Sequence, residues 1–481
     1  MFTSHDKLFI GGEWVQPVSS ATIAVRNAST GEPIGEVPQG SEADVDAAVT
    51  AARRAFDDPS GWPAWEPARR AAALERLATE LEARAQEIGR LVSMQNGMPI
   101  ALSPIIEGMT PVGTLRYVAG LLAQSPIERE VPRFLGGELI IRQEPVGVVA
   151  GIVPWNYPQT LCSFKYAPAL AAGCAIVLKP SPETVLDSYV FAEAVLAAGL
   201  PPGVINVVPG GRELGAYLVA HRDIDKVAFT GSTAAGRQIA EVCGRLLRPV
   251  SLELGGKSAA IILDDADLDL SRIGQDLFGA TLVNNGQTCY AGTRILAPRS
   301  RYAEVVDTFA AFASSLPVGD ALDPATLIGP LVSERQRDRV EGYIAKGRSD
   351  GARLVTGGGR PKGLDHGWFV EPTVFADVDN SSVIAQEEIF GPVLSVISYT
   401  DEDDAVRIAN DSGYGLGGSV WSADRERARA VGRRVRTGTV GINGYLPDPA
   451  GPWGGVKNSG IGRELGPGAI AAYQQPKTFY A

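Results

Sequence analysis

Histidine is the scarcest signal in this chain. Only His5, His221 and His366 occur, far apart and without an H-x-x-x-H pair. Imidazole is the commonest transition-metal ligand, so no metal centre is expected. Cysteine is nearly as scarce. Cys162, Cys174, Cys243 and Cys289 form no C-x-x-C pair, which argues against a secreted disulfide framework. Long apolar runs are lacking too. The best candidate, Tyr166 to Leu178, holds Pro168 and Gly173 and falls short of the ~18 residues of a membrane span. The N-terminus, MFTSHDKLFIGGEW, has no basic segment followed by an apolar core, so it does not read as a signal peptide. Positive charge is outnumbered: 44 Lys and Arg against 55 Asp and Glu give a net −11. A general nucleic-acid binder needs a basic surface, so that class is disfavoured. A soluble cytoplasmic protein with no membrane or nucleic-acid partner is expected.

The 481 residues are 45% hydrophobic and 21% charged, an ordinary globular balance, and the length suggests about three domains. Glycine is abundant, 56 residues without a short repeat, which points to tight turns or close backbone approaches to a ligand. Extended pieces at Lys7–Ile10 and Ala21–Val25 precede helical patterns over Glu42–Phe56 and Pro67–Gln95. The stretch from Ile127 to Gly147 reads as a hairpin about Gly136–Gly137, with an edge free to pair with another segment or subunit. From Val146 apolar strands alternate with helices: VGVVAGIV, CAIVLKP, VINVVPGG, KVAFTG and SLELGG are the strands. Ser163–Ala172, Tyr189–Ala198, Glu213–Ala220 and Ala234–Leu247 are the helices. Continuous apolar strands in such alternation predict a parallel sheet covered on both faces. After residue 256 the rhythm returns, with strands AAIIL, TRILAP and PVLSVISY and helices over Leu277–Asn284, Tyr302–Ser314 and Glu334–Gly347.

Several residues are placed where chemistry is done, each with a plainer alternative. Cys289, in VNNGQTCYAGTR, is either a buried structural cysteine or a nucleophile that acts as its thiolate. Glu253, in SLELGGKS, is either a strand-end carboxylate facing solvent or a buried one whose raised pKa suits a general base. Asn156, in VPWNYP, either belongs to a simple turn or offers an amide donor to an oxyanion. Lys179, in LKPSPET, is either solvated or meets a ribose or phosphate at a strand end. FTGSTAAG, Phe229 to Gly236, leads into a helix whose N–H groups would favour an anion. EEIFGPV and GPWGGVKNSGIGRELG read alone as strand-end turns.

Taken together, VPWNYP, LKPSPET, FTGSTAAG, LELGGKS, NNGQTC, EEIFGPV and PWGGVKNSGIGRELG occur in the order seen in the aldehyde dehydrogenase superfamily. The resemblance runs essentially from Lys7 to the last residues and is to the hydrolytic, NAD(P)-dependent branch. It implies roles residue by residue. Cys289 matches the nucleophile, Glu253 the general base and Asn156 the oxyanion amide, aided by the Cys289 backbone N–H. Lys165 and Glu464 match a pair implicated in proton relay. Lys179 matches the lysine on the adenosine ribose, and Ser232 the serine that caps the pyrophosphate. Glu388 and Phe390 match the residues about the nicotinamide ribose and ring, and Gln336 a ribose contact. Val153, Pro154, Trp155, Gly210 and Gly231 complete the implied cofactor site. Tyr157, Phe164, Tyr290 and Trp453 match substrate-pocket positions, with Thr110 on a preceding helix.

The implied reaction is oxidation of an aldehyde to its carboxylic acid. The Cys289 thiolate adds to the aldehyde, a hydride leaves for the nicotinamide, and Glu253 activates the water that hydrolyses the thioester. Members that pass the acyl group to coenzyme A typically lack this glutamate. Two departures from the family pattern stand out. Many NAD-preferring members carry a glutamate three residues after the lysine, where this chain has Pro182, with Glu183 one place later. No arginine in KPSPET welcomes a 2′-phosphate, so NAD is the expected cofactor, with NADP the alternative. Thr288 and Tyr290, not further cysteines, flank Cys289, which argues against a neighbouring disulfide and gives the pocket an aromatic wall. The loop NGYLPDPAGPW holds Asp448 and no Lys or Arg to receive a second carboxylate, which favours apolar or aromatic aldehydes.

The resemblance implies an α/β architecture in three parts. A Rossmann-like, doubly wound NAD-binding domain would span 1–124 and 147–255, and a second α/β catalytic domain 256–445. A small β oligomerisation element, 125–146 and 463–481, would build a homotetramer or homodimer. Two rivals are a non-catalytic relative and a thiol acyltransferase or esterase without redox chemistry. The first is opposed by the presence of Cys289, Glu253 and Asn156, the second by that of Lys179, Ser232 and Glu388.

Overall fold

The computed structural model describes residues 3–122 and 124–480. The alternating apolar runs form an eight-stranded sheet. Its parallel core runs, in spatial order, Val250–Glu253, Lys226–Thr230, Val148–Ile152, Ala175–Lys179 and Ile205–Val207. Nearly every residue of these strands is buried, as continuous Val/Ile/Ala runs require once helices cover both faces. The chain starts in the middle at Val148–Ile152, adds two strands on one side, then returns to add two on the other. This is the doubly wound order, and its switch point lies between Val148–Ile152 and Lys226–Thr230. Ligands bind at the carboxyl ends of strands at such a point.

Leu8–Ile10 and Glu13–Val15 extend one edge as an antiparallel pair. The other edge is closed by Gly460–Ile461, antiparallel to Val250–Glu253. A second sheet of seven strands runs Arg353–Thr356, Thr373–Ala376, Val393–Tyr399, Arg294–Pro298, Ala259–Ile262, Gly418–Trp421 and Gly441–Ile442, parallel except for its first member. The architecture is thus α/β with two largely parallel sheets.

The hairpin about Gly136–Gly137 forms, with strands Glu128–Pro132 and Glu138–Pro145 and both glycines at positive φ. The edge expected to seek a partner finds one within the chain. Gln474–Tyr480 pairs with Glu138–Pro145 from Gln474↔Pro145 to Tyr480↔Leu139, giving a separate three-stranded sheet. Phe134 and Leu135 at its turn are fully exposed.

Two helical expectations need correction. The stretch Pro67–Gln95 is not one helix. It breaks at Arg84, whose ψ of 5° departs from helical geometry, into Pro67–Ala83 and Ala85–Asn96. The helix expected over Leu277–Asn284 is Leu270–Thr281, begun by the Asp269 cap. Asn284 and Asn285 instead turn left-handed, at φ 52° and 60°. Asparagine tolerates that region better than most residues, and the departure lies a few residues before Cys289.

Candidate active site

The switch point opens into a groove of about 550 Å³. Its wall is made where the strands stop: Val153, Pro154 and Trp155 after Val148–Ile152, Lys179 at the end of Ala175–Lys179, and Gly231 and Ser232 after Lys226–Thr230. Ser232 caps the helix Thr233–Arg245 by accepting from the Ala235 N–H at 3.3 Å. The first turn of that helix lines the groove through Ala235, where unpaired N–H groups and the helix dipole favour an anion. Lys179 donates to the Pro180 and Gly210 carbonyls at 3.0 and 2.8 Å, and burial lowers its pKa to about 8. A Cβ on Gly215, across the groove, would lie 3.3 Å from the Lys179 side chain. A bare backbone there leaves the lysine its room. An anion seat, a lysine at a strand end and a cleared backbone thus share one groove.

Glu388 and Phe390 stand beyond this groove in the turn before Val393–Tyr399. The Glu388 carboxylate accepts from the Gly256 N–H at 2.8 Å, and burial pushes its pKa up to about 7. Phe390 adopts φ 64° and sets its ring edge-on to Trp155 at 5.3 Å. A left-handed phenylalanine is strained and is kept only where the surroundings enforce it. Gln336 supplies part of that enforcement. Its Nε2 donates to the Ile389 and Phe390 carbonyls at 3.3 and 2.8 Å, so its amide is spent on this turn.

Cys289 lies just past the left-handed turn. Gly286, at φ 74°, completes that turn, and a Cβ there would come within 2.3 Å of the Gly391 carbonyl oxygen. Asn285 ties the turn down. Its Nδ2 donates to the Gly97 and Pro330 carbonyls, and its Oδ1 accepts from the Gly329 N–H. Cys289 is partly accessible, whereas Cys162, Cys174 and Cys243 are buried, and all four are free thiols. Burial pushes Cys162 up beyond the ordinary thiol range and Cys174 up to about 12. Glu253 lies beside the Cys289 thiol. Burial first, then the Glu253 and Glu388 carboxylates, hold the Cys289 pKa well above the usual thiol value, while the Tyr290 N–H pulls it down. Burial first, then Glu464, hold Glu253 well above the usual carboxylate range. Its Oε1 has no hydrogen-bond partner among the described residues.

Asn156 reaches the same place from the other sheet. Its Nδ2 donates to the Gln287 carbonyl at 3.0 Å, which fixes the amide plane and leaves the second amide hydrogen to point elsewhere. The Asn156 backbone carbonyl accepts from the Asn284 side-chain amide at 2.8 Å. Lys165 sits on the wholly buried helix Pro158–Ala172 and meets Glu464 at 2.9 Å and the Thr230 hydroxyl at 2.6 Å. The glutamate arrives from about 300 residues later. Trp453 and Glu464 exchange backbone hydrogen bonds at 2.7 Å, so PWGGVKNSGIGRELG doubles back beside Val250–Glu253.

An aromatic group flanks the thiol. Tyr157 shares a 2.5 Å hydrogen bond with Thr288, and Tyr290 packs edge-on to Trp453 at 5.7 Å. Phe164 is buried in the same core cluster as Tyr157, Tyr290 and Trp453. Thr110 begins the helix Thr110–Leu122 and is only partly buried.

Some residues at the site were not singled out from sequence. Tyr445 stacks on Tyr290 at 4.6 Å and bonds Thr439 through its hydroxyl. It lies in the loop NGYLPDPAGPW, where an aromatic set between glycine and Leu446–Pro447 was the available sign. Glu107, in the π-helical turn Pro104–Met109, is fully buried and accepts from the Gln159 and Thr160 N–H groups at 2.7 and 3.3 Å. It thereby anchors the start of the helix that carries Lys165. Burial pushes its pKa up to about 8. A solitary carboxylate in the apolar run PIIEGM was its sign. Among the described residues no cluster suited to a metal ion is found, and no helix is long and apolar enough to cross a membrane.

Residues 14–479 match the model of the aldehyde dehydrogenase family. The chain is 56% identical over its whole length to the geranial dehydrogenase of Castellaniella defragrans, covering 99% of that protein. A Mycobacterium tuberculosis aldehyde dehydrogenase complexed with NAD+ superposes with a TM-score of 0.96 at 50% identity, over 99% of this chain and 98% of that one. A cysteine-to-alanine mutant of aldehyde dehydrogenase C from Pseudomonas syringae, complexed with NAD+ and octanal, superposes with a TM-score of 0.94 at 41% identity, over 98% and 96%.

Proposed function

The chain belongs to the aldehyde dehydrogenase family, and from that premise we propose that it oxidises an apolar aldehyde to the carboxylic acid with NAD, through a thioester on Cys289. The observation that carries this reading is the meeting of the only partly accessible cysteine, Cys289, with a buried carboxylate, Glu253, behind a groove fit for a dinucleotide.

The geometry divides the labour. Cys289 adds to the aldehyde carbon, its proton passing towards Glu253. The alkoxide so formed accepts hydrogen bonds from the second amide hydrogen of Asn156 and from the backbone N–H of Cys289, donors fixed in place before charge develops. When bound, the nicotinamide supplies the hydride acceptor. Lys179 and Ser232 hold the adenosine and pyrophosphate end, while Glu388 and Phe390, locked by Gln336, hold the nicotinamide end. Val153, Pro154, Trp155 and Gly231 shape the wall between them, while Gly210 acts through the carbonyl that steadies Lys179. Glu253, whose pKa burial raises above the usual carboxylate range and so makes it a stronger base, draws a proton from the water that attacks the thioester. Lys165 and Glu464, next to Glu253, carry that proton onward.

Tyr157, Phe164, Tyr290 and Trp453, joined by Tyr445, gather an aromatic wall beside the thiol that suits an apolar aldehyde. Geranial and octanal, named with the relatives, are apolar aldehydes, which supports the same class. In this reading 1–124 and 147–255 bind the cofactor, and 256–445 presents the nucleophile. The sheet of 125–146 and 463–481 joins subunits of a homodimer or homotetramer in the cytoplasm, its open edges and exposed Phe134 and Leu135 supporting that role. Incubation of the purified protein with NAD and a panel of aldehydes, followed by NADH absorbance, tests the reading. Turnover should favour apolar over dicarboxylic semialdehydes; absence of NADH with every aldehyde would overturn it.

A further inference from the structure

The adenosine end of the groove holds a pair of charges that the family resemblance does not foresee. Pro182 occupies the position where a ribose-binding glutamate is common, yet the groove is not bare of carboxylate there. Glu183 lines it, one residue later. It is displayed by a turn in which the Thr184 N–H donates to the Ser181 carbonyl at 3.2 Å. Its two oxygens are both engaged: one accepts from the Ser181 hydroxyl at 2.6 Å, the other from Arg335 at 3.1 Å. Arg335 comes from 152 residues away, in the first turn of the helix Glu334–Ser349 that Ser333 caps. A cation in the first turn of a helix lacks the help of the helix dipole. It therefore gains from any anion brought to it.

The burial of the two partners is unequal. Glu183 is 24% exposed and Arg335 83%, so the carboxylate is set into the wall while the guanidinium lies over it from solvent. Exposed pairs of this kind contribute little to stability, so removal of the carboxylate would release Arg335 at small cost to the fold. With Lys179 and Arg212 also lining the groove, three cations and one carboxylate face the adenosine end. The carboxylate thus decides how that end responds to a 2′-substituent. A 2′-hydroxyl can donate to it. A 2′-phosphate, with nearly two negative charges, is repelled by it and meets in Arg335 a guanidinium already paired with Glu183.

We infer that Glu183 and Arg335 together set the preference of this chain for NAD over NADP: Glu183 accepts from the 2′-hydroxyl and turns the 2′-phosphate away, and its ion pair keeps Arg335 from receiving that phosphate. The inference rests on the reading of the groove as the dinucleotide site. It predicts a latent NADP site: removal of the carboxylate charge frees Arg335 and reverses the preference.

Binding measured by calorimetry on the full-length protein tests this without catalysis. The probes are 5′-ADP and 2′,5′-ADP, which carry the adenosine end alone, with NAD as the control. The Glu183→Gln variant should bind 2′,5′-ADP at least about tenfold more tightly than the wild type, the scale of one charge-assisted hydrogen bond. It should bind 5′-ADP several-fold less tightly. Arg335→Ala alone should bring no gain, and the double variant should lose the gain of Glu183→Gln, a coupling that a double-mutant cycle isolates. An unchanged ratio of 2′,5′-ADP to 5′-ADP affinity in Glu183→Gln overturns the inference, as does a gain that survives the loss of Arg335. Failure of the wild type to bind either NAD or 5′-ADP would instead remove the assignment of the groove, and the inference with it. Both side chains are on the surface of their elements, so thermal melts of the variants should match the wild type.

Discussion

Replacement of Glu253 by glutamine separates the two halves of the proposed reaction. The substitution keeps shape and volume but removes the proton acceptor. Hydride transfer requires Cys289, Asn156 and the cofactor; thioester hydrolysis requires a base. A general base is worth roughly 10²- to 10⁴-fold in rate, or about 2.7–5.4 kcal/mol of barrier. Steady-state turnover should fall by at least the lower figure. Stopped-flow mixing with NAD and aldehyde should still give a burst of NADH, smaller if Glu253 also accepts the thiol proton, and high pH should then partly restore it. The fold should not suffer. Glu253 has a folded pKa above its unfolded value, so the folded state holds the proton more tightly, and stability falls as pH rises from the unfolded pKa through the folded one. At pH 7 a neutral amide avoids that cost, so the melting temperature of Glu253→Gln should equal or exceed that of the wild type. Unchanged steady-state turnover would show that another group is the base. A lowered melting temperature would show that the carboxylate is held ionised by partners not recognised above.

Two further outcomes follow from the charges around the thiol. Because burial, Glu253 and Glu388 raise the Cys289 pKa, its thiolate fraction at neutrality is small. Iodoacetamide inactivation should accelerate about tenfold per pH unit between pH 7 and 8, since the thiolate is the reactive form; a flat profile would contradict the raised pKa. Lys165 and Glu464 form a buried pair, so Glu464→Gln leaves a buried ammonium without its countercharge and should destabilise the fold by about 3–5 kcal/mol, read by denaturant melts. A loss under about 1 kcal/mol would mean that water reaches the pair.

Much of the cofactor sheet was legible because its signal is local. VGVVAGIV is apolar throughout, and in CAIVLKP and KVAFTG the lysines stand only at a strand end, the pattern of strands covered on both faces. The seven ordered motifs likewise marked Cys289, Glu253 and Asn156, and the structure brings the three to one place. What escaped was non-local or depended on backbone detail. Helical composition continues through Arg84 and through Val283–Asn284, and nothing in composition records the break in the one or the left-handed asparagines in the other. Tyr445 joins the aromatic group only because its loop folds over Tyr290. Arg335 meets Glu183 across 152 residues, so a search for cations within KPSPET could not find it. Glu464 was recognisable from GRELG alone, but its contact with Lys165 required the return of the C-terminal segment alongside Val250–Glu253.

The central claim is that the acyl group is carried on Cys289. Acid quench of the wild-type protein a few milliseconds after mixing with NAD and aldehyde, then peptide mapping by mass spectrometry, reads it directly. The account predicts a mass increase equal to the acyl group on the peptide containing Cys289 and on no other, in proportion to the NADH formed. NADH formation with the acyl group on Cys162, Cys174 or Cys243, or with no acyl-peptide while Cys289→Ser still turns over, would contradict it.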